Sequence, residues 1–160
     1  MALTPLLHLK APNDQNKKIS NVASKAESLY NDSNYSREML LDFLKKAYEE
    51  SPNDIEIVWR LSRAAYDCAE KIGISFEKKK ELTYFAYEII QKALIIGEAN
   101  FAVHKWYGII LSSIGDFEGT KARIGNSYKV KEHWKKAVEL NPNDATSHHL
   151  LGRCNKKPTS

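Results

Sequence analysis

Two stretches of this chain echo each other, and the echo constrains the fold more than any other feature. Ala47-Tyr-Glu-Glu-Ser-Pro-Asn-Asp54 and Ala137-Val-Glu-Leu-Asn-Pro-Asn-Asp144 agree at five of eight positions. In each, a helix ends near the glutamate, the proline stops it, and Asn-Asp can cap the helix that follows. Halfway between them, Ala93-Leu-Ile-Ile-Gly-Glu-Ala-Asn100 reads as a degenerate third copy, with Gly97 ending the helix in place of proline. The same joint therefore recurs about every 45 residues, a period that points to stacked helical hairpins.

The segments between the joints carry the matching periodicity. Leu40, Phe43, Leu44 and Ala47 fall at three-to-four spacing in Ser36–Glu50. Val58, Trp59, Ser62, Ala65, Tyr66, Ala69 and Ile72 form one stripe in Asp54–Ile72, and Leu82, Phe85, Ala86, Ile89, Ile90, Ala93 and Leu94 form another. Phe101–Ile114 reads as an apolar helix, with Gly115-Asp116 as the break after it. Beyond it Val130, Trp134, Ala137 and Val138 face one way. Nothing alternates with period two, so no sheet is expected.

Small–bulky–small triplets refine this to a tetratricopeptide-like solenoid, all-α and built of antiparallel helix pairs. Ala86-Ile90-Ala93 and Val130-Trp134-Ala137 have the spacing of such a repeat's second helix, and Leu40-Leu44-Ala47 fits more loosely. Pro52 and Pro142 follow five residues after their alanines, Trp59 and Tyr66 have first-helix spacing, and His148…Leu151-Gly152 begins another first helix. The second and third units are too long, with the excess at Lys71–Lys80 and Ile114–Asn126, as lengthened helices or loops. A HEAT-like array, with a natural period near 45, is the alternative. The expected layout is a flexible arm over residues 1–22, a helical domain of about three repeats and a terminal helix over 23–152, and a tail over 153–160. The last unit stops at Ser160 without a second helix, as a truncated array would.

Composition is that of an ordinary soluble domain, with 42% hydrophobic and 28% charged residues. The longest apolar runs fall far short of the roughly 20 residues a membrane span needs. Cys68 and Cys154 lie far apart without CxxC partners, so free thiols are expected. The formal net charge is only +4, but its distribution is uneven. Basic and acidic residues balance up to residue 76, and the basic excess lies beyond it. Lys121, Arg123, Lys129, Lys131, Lys135 and Lys136 face a single acid, Glu132, in their segment. Lys78, Lys79 and Lys80 form a second cluster in the first turn of a helix capped by Ser75. Such patches attract acidic surfaces.

Catalytic and cofactor chemistry finds no footing. Gly115-Asp-Phe-Glu-Gly119-Thr-Lys121 lacks the spacing of a phosphate loop and has no strand before it. The five histidines, His8, His104, His133, His148 and His149, include no HExxH. His148 is expected to pack at a bulky repeat position, His104 and His133 to lie on helix surfaces, and Cys68 to be buried. The tryptophans sit on core stripes and are not interleaved with the lysines, which argues against nucleic acid. No enzyme activity, metal or cofactor is expected.

Phe101-Ala-Val-His-Lys-Trp-Tyr-Gly108, Gly115-Asp-Phe-Glu-Gly119 and the run from Asn126-Ser-Tyr-Lys-Val-Lys-Glu-His-Trp134 to Thr146 resemble the regulator of microtubule dynamics family. Trp59-Arg-Leu-Ser-Arg-Ala-Ala-Tyr66 and Glu77-Lys-Lys-Lys-Glu-Leu82 are similar to that family's earlier helices, and the resemblance covers roughly residues 40–152. It implies a tetratricopeptide-like fold, association with tubulin and microtubules, and a role in spindle organisation and chromosome segregation, hence a cytoplasmic, cytoskeletal location. For some members it implies attachment to mitochondria or to contacts with the endoplasmic reticulum, and for one a lipid-transfer role. On this reading the two lysine clusters meet the filament. In the rival reading, a concave groove takes a partner peptide or a lipid through first-helix residues such as Arg60, Arg63 and Lys105.

Overall fold

The computed structural model describes residues 14–155, which form seven helices and no strand. These are α1 (Asp14–Asn31), α2 (Arg37–Glu50), α3 (Ile55–Ala69), α4 (Phe76–Ile96), α5 (Phe101–Glu118), α6 (Thr120–Leu140) and α7 (Ala145–Asn155). Each helix packs on the next, and α3 also touches α1 and α5. The odd-numbered helices thus line one side of the stack, and α2, α4 and α6 cover the other. Helix α1 begins inside the stretch expected to be a flexible arm, and α7 runs past Gly152 to Asn155. The remainder of the expected arm and tail, residues 1–13 and 156–160, lies outside the described residues.

The three joints are built alike. The carbonyls of Ala47, Ala93 and Ala137 accept from the backbone N–H of Ser51, Gly97 and Asn141 at 2.9–3.0 Å. Three residues later Asp54, Asn100 and Asp144 donate back to Ser51, Gly97 and Asn141. Their side chains then cap the next helix, accepting from the N–H groups of Glu56, Ala102 and Ser147. Each cap satisfies an orphan donor and contributes about 1 kcal/mol. The degenerate copy at Ala93 is therefore a full structural equivalent without its proline. Gly97 sits at φ −142, like Ser51 and Asn141, so no left-handed backbone requires it. A side chain there would collide with Ile55.

The small–bulky–small triplets form the core. Ala86, Ile90 and Ala93 are fully buried, as are Leu40 and Leu44, and Val130, Trp134 and Ala137 close the stack against α5. Gly108 admits Trp134, whose indole N–H donates to the Lys105 carbonyl at 3.2 Å; any larger residue at 108 would strike that ring. Ser62 lies in the core with its hydroxyl donating to the Ala86 carbonyl at 2.7 Å, so a polar group is buried at no loss.

Two expectations fail for identifiable reasons. Helix α5 does not break at Gly115-Asp116 but continues to Glu118, and the chain turns at Gly119, where φ is +89. Gly115 instead marks close approach, since a Cβ there would lie 2.6 Å from Arg123 Cγ. The excess residues fall as expected into lengthened helices and a loop: 71–75 lie in the connection before α4, and the rest lengthen α4 and α6 to 21 residues each and carry α5 to Glu118. Ile72, assigned to the α3 stripe, is 99% exposed because α3 ends at Ala69 and the chain has already left the helix.

Candidate functional site

Helix α6 is anchored by Val130, Trp134 and Ala137, so at about 100° per residue the opposite arc faces outward. Lys121, Lys129, Lys131, Lys135 and Lys136 fall within that arc, which spans roughly 160°. Four of them, Lys121, Lys129, Lys131 and Lys135, take part in no ion pair among the described residues. Lys129 lies over the Tyr107 ring at 5.3 Å, and Lys136 reaches Glu139 at 3.9 Å on an exposed surface. Arg123 lies on the inward side, packs its stem on Gly115 and pairs with Asp116 at 3.6 Å. The first turn of α6 is unusual: Gly119 offers no side-chain cap, and no acid accompanies Lys121 and Arg123. Cations there oppose the helix dipole by a few tenths of a kcal/mol or more.

The second lysine cluster reaches the same end of the stack but is held differently. Phe76 at the start of α4 stacks edge-on against Phe117 near the end of α5, with ring centroids 5.7 Å apart, and Tyr84 donates to Glu118 at 3.0 Å. Lys78 to Lys80 therefore lie near Lys121 and Arg123, while Lys135 and Lys136 are about 21 Å farther along α6. Lys78 is tied to Glu81 at 2.9 Å and Lys79 to Glu70 at 2.9 Å, and Lys80 rests over Tyr84.

A second feature lies on the concave side. A groove of about 750 Å³ runs across the odd-numbered helices, lined by Trp59, Arg60 and Arg63 from α3 and Phe101, Lys105 and Trp106 from α5. It gathers the three first-helix cations that a groove-binding reading singles out. All three are already engaged. Arg60 pairs with Glu27 at 3.1 Å and with Glu56, Arg63 pairs with Glu27 at 3.1 Å, and Lys105 pairs with Asp144 at 3.1 Å. Arg63 also stacks 3.5 Å from the Tyr30 ring. Burial pushes the Glu27 carboxyl up, but the hydrogen bonds and charges of Arg63 and Arg60 outweigh it and hold the group below its usual range. Asp144 behaves likewise, burial being outweighed by hydrogen bonds from Ser147 and Lys105.

The histidines depart from expectation. His104 is 5% exposed and not on the surface. Its Nε2 meets the Glu98 carbonyl at 2.7 Å and its Nδ1 meets His133 Nδ1 at 2.9 Å. A carbonyl can only accept, so the His104 Nε2–H donates to Glu98, and in the contact between the two Nδ1 atoms one ring donates and the other accepts. Burial, then His104 and Lys129, push the His133 pKa down to about 4. His148, expected to be packed, is exposed with Nε2 bonded to the Pro142 carbonyl at 2.7 Å. A lone histidine carries no local signal that separates these outcomes; the partner lies on another helix. Cys68 is buried as expected, and burial pushes its thiol up to about 11. Among the described residues no group of three or more His, Cys, Asp or Glu could hold a metal, and no helix is long and apolar enough to cross a membrane.

The architecture matches the first tetratricopeptide-repeat domain of Spaghetti (RPAP3), solved bound to an HSP90 peptide, with a TM-score of 0.58 at 12% identity over 86% of this chain and 90% of that one. The repeat fold is thus tetratricopeptide-like and not HEAT-like. By sequence the chain is similar to regulator of microtubule dynamics protein 1 of Bos taurus, 47% identical over 84% of this chain and 41% of the relative. The Mus musculus protein of the same name is 44% identical over 84% of this chain and 43% of its own length. This chain therefore spans less than half the length of these relatives. The family model described as regulator of microtubule dynamics protein 1-3 matches residues 22–155, so it takes in most of α1 as well as the later helices. On these matches, and on the helical stack that carries them, the chain belongs to the regulator of microtubule dynamics family.

Proposed function

We propose that this domain is a non-catalytic module that binds microtubules through the outward face of α6, and that it serves spindle organisation and chromosome segregation in the cytoplasm and at spindle poles. The observation that carries the reading is the row of lysines without ion pairs, Lys121, Lys129, Lys131 and Lys135, on a chain whose relatives are named for regulating microtubule dynamics. The filament exterior is acidic, so such a row is attracted to it over the 8–10 Å or so that physiological salt leaves unscreened. An approaching carboxylate would also offset the misfit between Lys121, Arg123 and the α6 dipole. Lys78, Lys79 and Lys80 contribute at most long-range attraction, because two of them are tied to neighbouring acids.

Reversing Lys121, Lys129, Lys131 and Lys135 to glutamate should abolish co-sedimentation with microtubules and leave the circular dichroism spectrum unchanged. Undiminished pelleting of a folded variant rejects the assignment.

One observation favours a second reading, an adaptor or lipid-binding module at organelle contacts. Trp59, Trp106 and Phe101 line the concave groove beside Arg60, Arg63 and Lys105, and the structural relative holds a peptide. Trp106→Ala would weaken such a ligand while sparing microtubule binding. An apolar molecule seen by native mass spectrometry would favour lipid over peptide.

A further inference from the structure

Helix α1 meets the stack differently from the helices after it. Among its described side chains only Ala23 and Ala26 are buried, with Leu29 and Tyr30 partly covered, whereas α3 buries Ile57, Val58, Leu61 and Cys68 among others. The rest of the hold is polar and lies toward the C-terminal end of α1. Glu27 accepts from Arg60 at 3.1 Å and from Arg63 at 3.1 and 3.3 Å. The Tyr30 ring carries two guanidiniums, Arg63 at 3.5 Å and Arg37 at 4.4 Å from its centroid, and Arg37 also donates to the Tyr30 carbonyl at 2.7 Å. A cation beside the last carbonyls of a helix suits its dipole. Glu27 and Tyr30 form one wall of the concave groove, next to Trp59, Arg60 and Arg63. These contacts belong to the inward face of α1 and do not depend on what covers its outer face.

The arginines of this clamp have a second carboxylate at hand. Asp67 stands one turn beyond Arg63 on α3, a separation at which side chains on a helix meet. Its Oδ2 and the Arg63 Nε are both buried, and neither has a hydrogen-bond partner. Burial disfavours the Asp67 charge, and the charges of Arg63 and Arg37 oppose that.

We infer that α1 is a lid on the concave groove. It is shut while Glu27 and Tyr30 hold Arg60, Arg63 and Arg37, and it opens as one unit, the arginines turning to Asp67, while α3 to α6 stay folded. The inference rests on the groove-binding reading for its purpose, although the opening itself needs no ligand. Opening costs little for a physical reason. Undocking α1 returns charges and two alanines to water, and the hydration regained by the charges offsets the pairing they lose. Undocking α3 would expose large apolar side chains with no such return. Elements held as α1 is held open ahead of the global transition. The open lid clears one wall of the groove and frees Arg60 and Arg63, two of its three cations, from Glu27.

Hydrogen–deuterium exchange of the whole chain tests this. Amides from Asn21 to Asn31 should exchange at least about tenfold sooner than the core amides of α3 and α5, through an opening that barely responds to low denaturant. In Glu27→Gln/Tyr30→Ala, α1 should lose its protection entirely while α3 to α6 keep theirs. Acrylamide quenching of Trp59, identified by its loss in Trp59→Phe, should rise in the same variant, because the guanidiniums that Glu27 holds lie 4.2 and 5.0 Å from that ring. Asp67→Asn removes the second carboxylate and should raise the protection of α1 by a larger factor than that of α3 and α5. Equal protection of α1 and α3 in the wild type, lost at one denaturant concentration, overturns the lid. A double variant that keeps α1 protected, or that unfolds throughout, overturns it as well. Equal factors in Asp67→Asn overturn the part given to Asp67. A Trp106→Ala chain that binds every groove ligand as the wild type does sinks the groove reading alone, since no exchange measurement here involves a ligand.

Discussion

The outer face of α6 and the concave groove are both rich in cations, yet the charges serve different ends. In the groove each cation meets an acid from another segment: Arg60 and Arg63 meet Glu27 of α1, and Lys105 meets Asp144 at the last joint. These side chains are mostly buried, so their pairing holds α1 and α7 to the stack. On α6 the lysines are exposed, Lys131 partly so, and Lys121, Lys129, Lys131 and Lys135 form no ion pair among the described residues. A cation spent on holding the fold cannot also bind a partner without breaking something. A count of lysines and arginines therefore misjudges a surface, and the separation of each charge from its counter-ion is the better guide.

The sharpest way to break the comparison is to remove the acid that two groove cations share. Glu27→Ala leaves the buried Arg63 without its carboxylate and should cost about 2–3 kcal/mol, read as a fall in thermal midpoint. A loss below about 0.5 kcal/mol would mean the groove arginines are as free as the α6 lysines.

A smaller effect of opposite sign is expected from Asp67, one turn beyond Arg63. Its Oδ2 is buried without a hydrogen-bond partner, and burial, opposed by the charges of Arg63 and Arg37, raises its pKa to about 6. A carboxyl whose folded pKa lies above its unfolded value holds its proton longer in the folded state. The resulting destabilisation is absent below about pH 4, grows as pH rises to about 6 and is complete above that. Asp67→Asn should therefore stabilise the protein by about 1–2 kcal/mol at pH 7.5 and by nothing at pH 3.5. An equal gain at both pH values would exclude the ionised carboxylate as the cause.

His133 has the reverse sign. Its folded pKa of about 4 lies below the ordinary value of 6.5, so the stability it contributes is complete above pH 6.5 and is lost as pH falls toward 4. Chemical denaturation across that window should show a slope that His133→Gln flattens. The smallest effect completes the series: Lys121→Glu with Lys131→Glu should shift stability by no more than about 0.5 kcal/mol, because neither lysine is paired within the described residues. A loss of 2 kcal/mol or so would show that these lysines hold the fold, and the contrast with the groove would disappear.

The helical stack was legible in the residues because each joint is a local event. A proline, an Asn-Asp cap and an alanine four residues before the turn act within one segment, and Ser75 caps α4 by accepting from the Lys78 N–H at 3.2 Å, as its position foretells. The misreading of Gly115 shows where local signals mislead. A glycine can mark a turn or a close contact, and only the neighbouring Arg123 distinguishes them. The lysines of α6 could be placed outward from the Val130–Trp134–Ala137 stripe, whereas the exposure of Ile124 and Tyr128 beside them is visible only in the folded chain. Two isolated apolar residues on a helix carry no signal until their exposure is known.

Periodicity, caps and small–bulky–small triplets sufficed to specify paired helices, their order and the inward face of each, since all of these depend on residues within a few turns. Which cations stay free, which histidines meet and what lines the groove depended on contacts across long separations, as between Glu27 and Arg63 or His104 and His133. Helix periodicity sets the direction of a side chain but not what stands opposite it, and pairing is a property of the opposing surface.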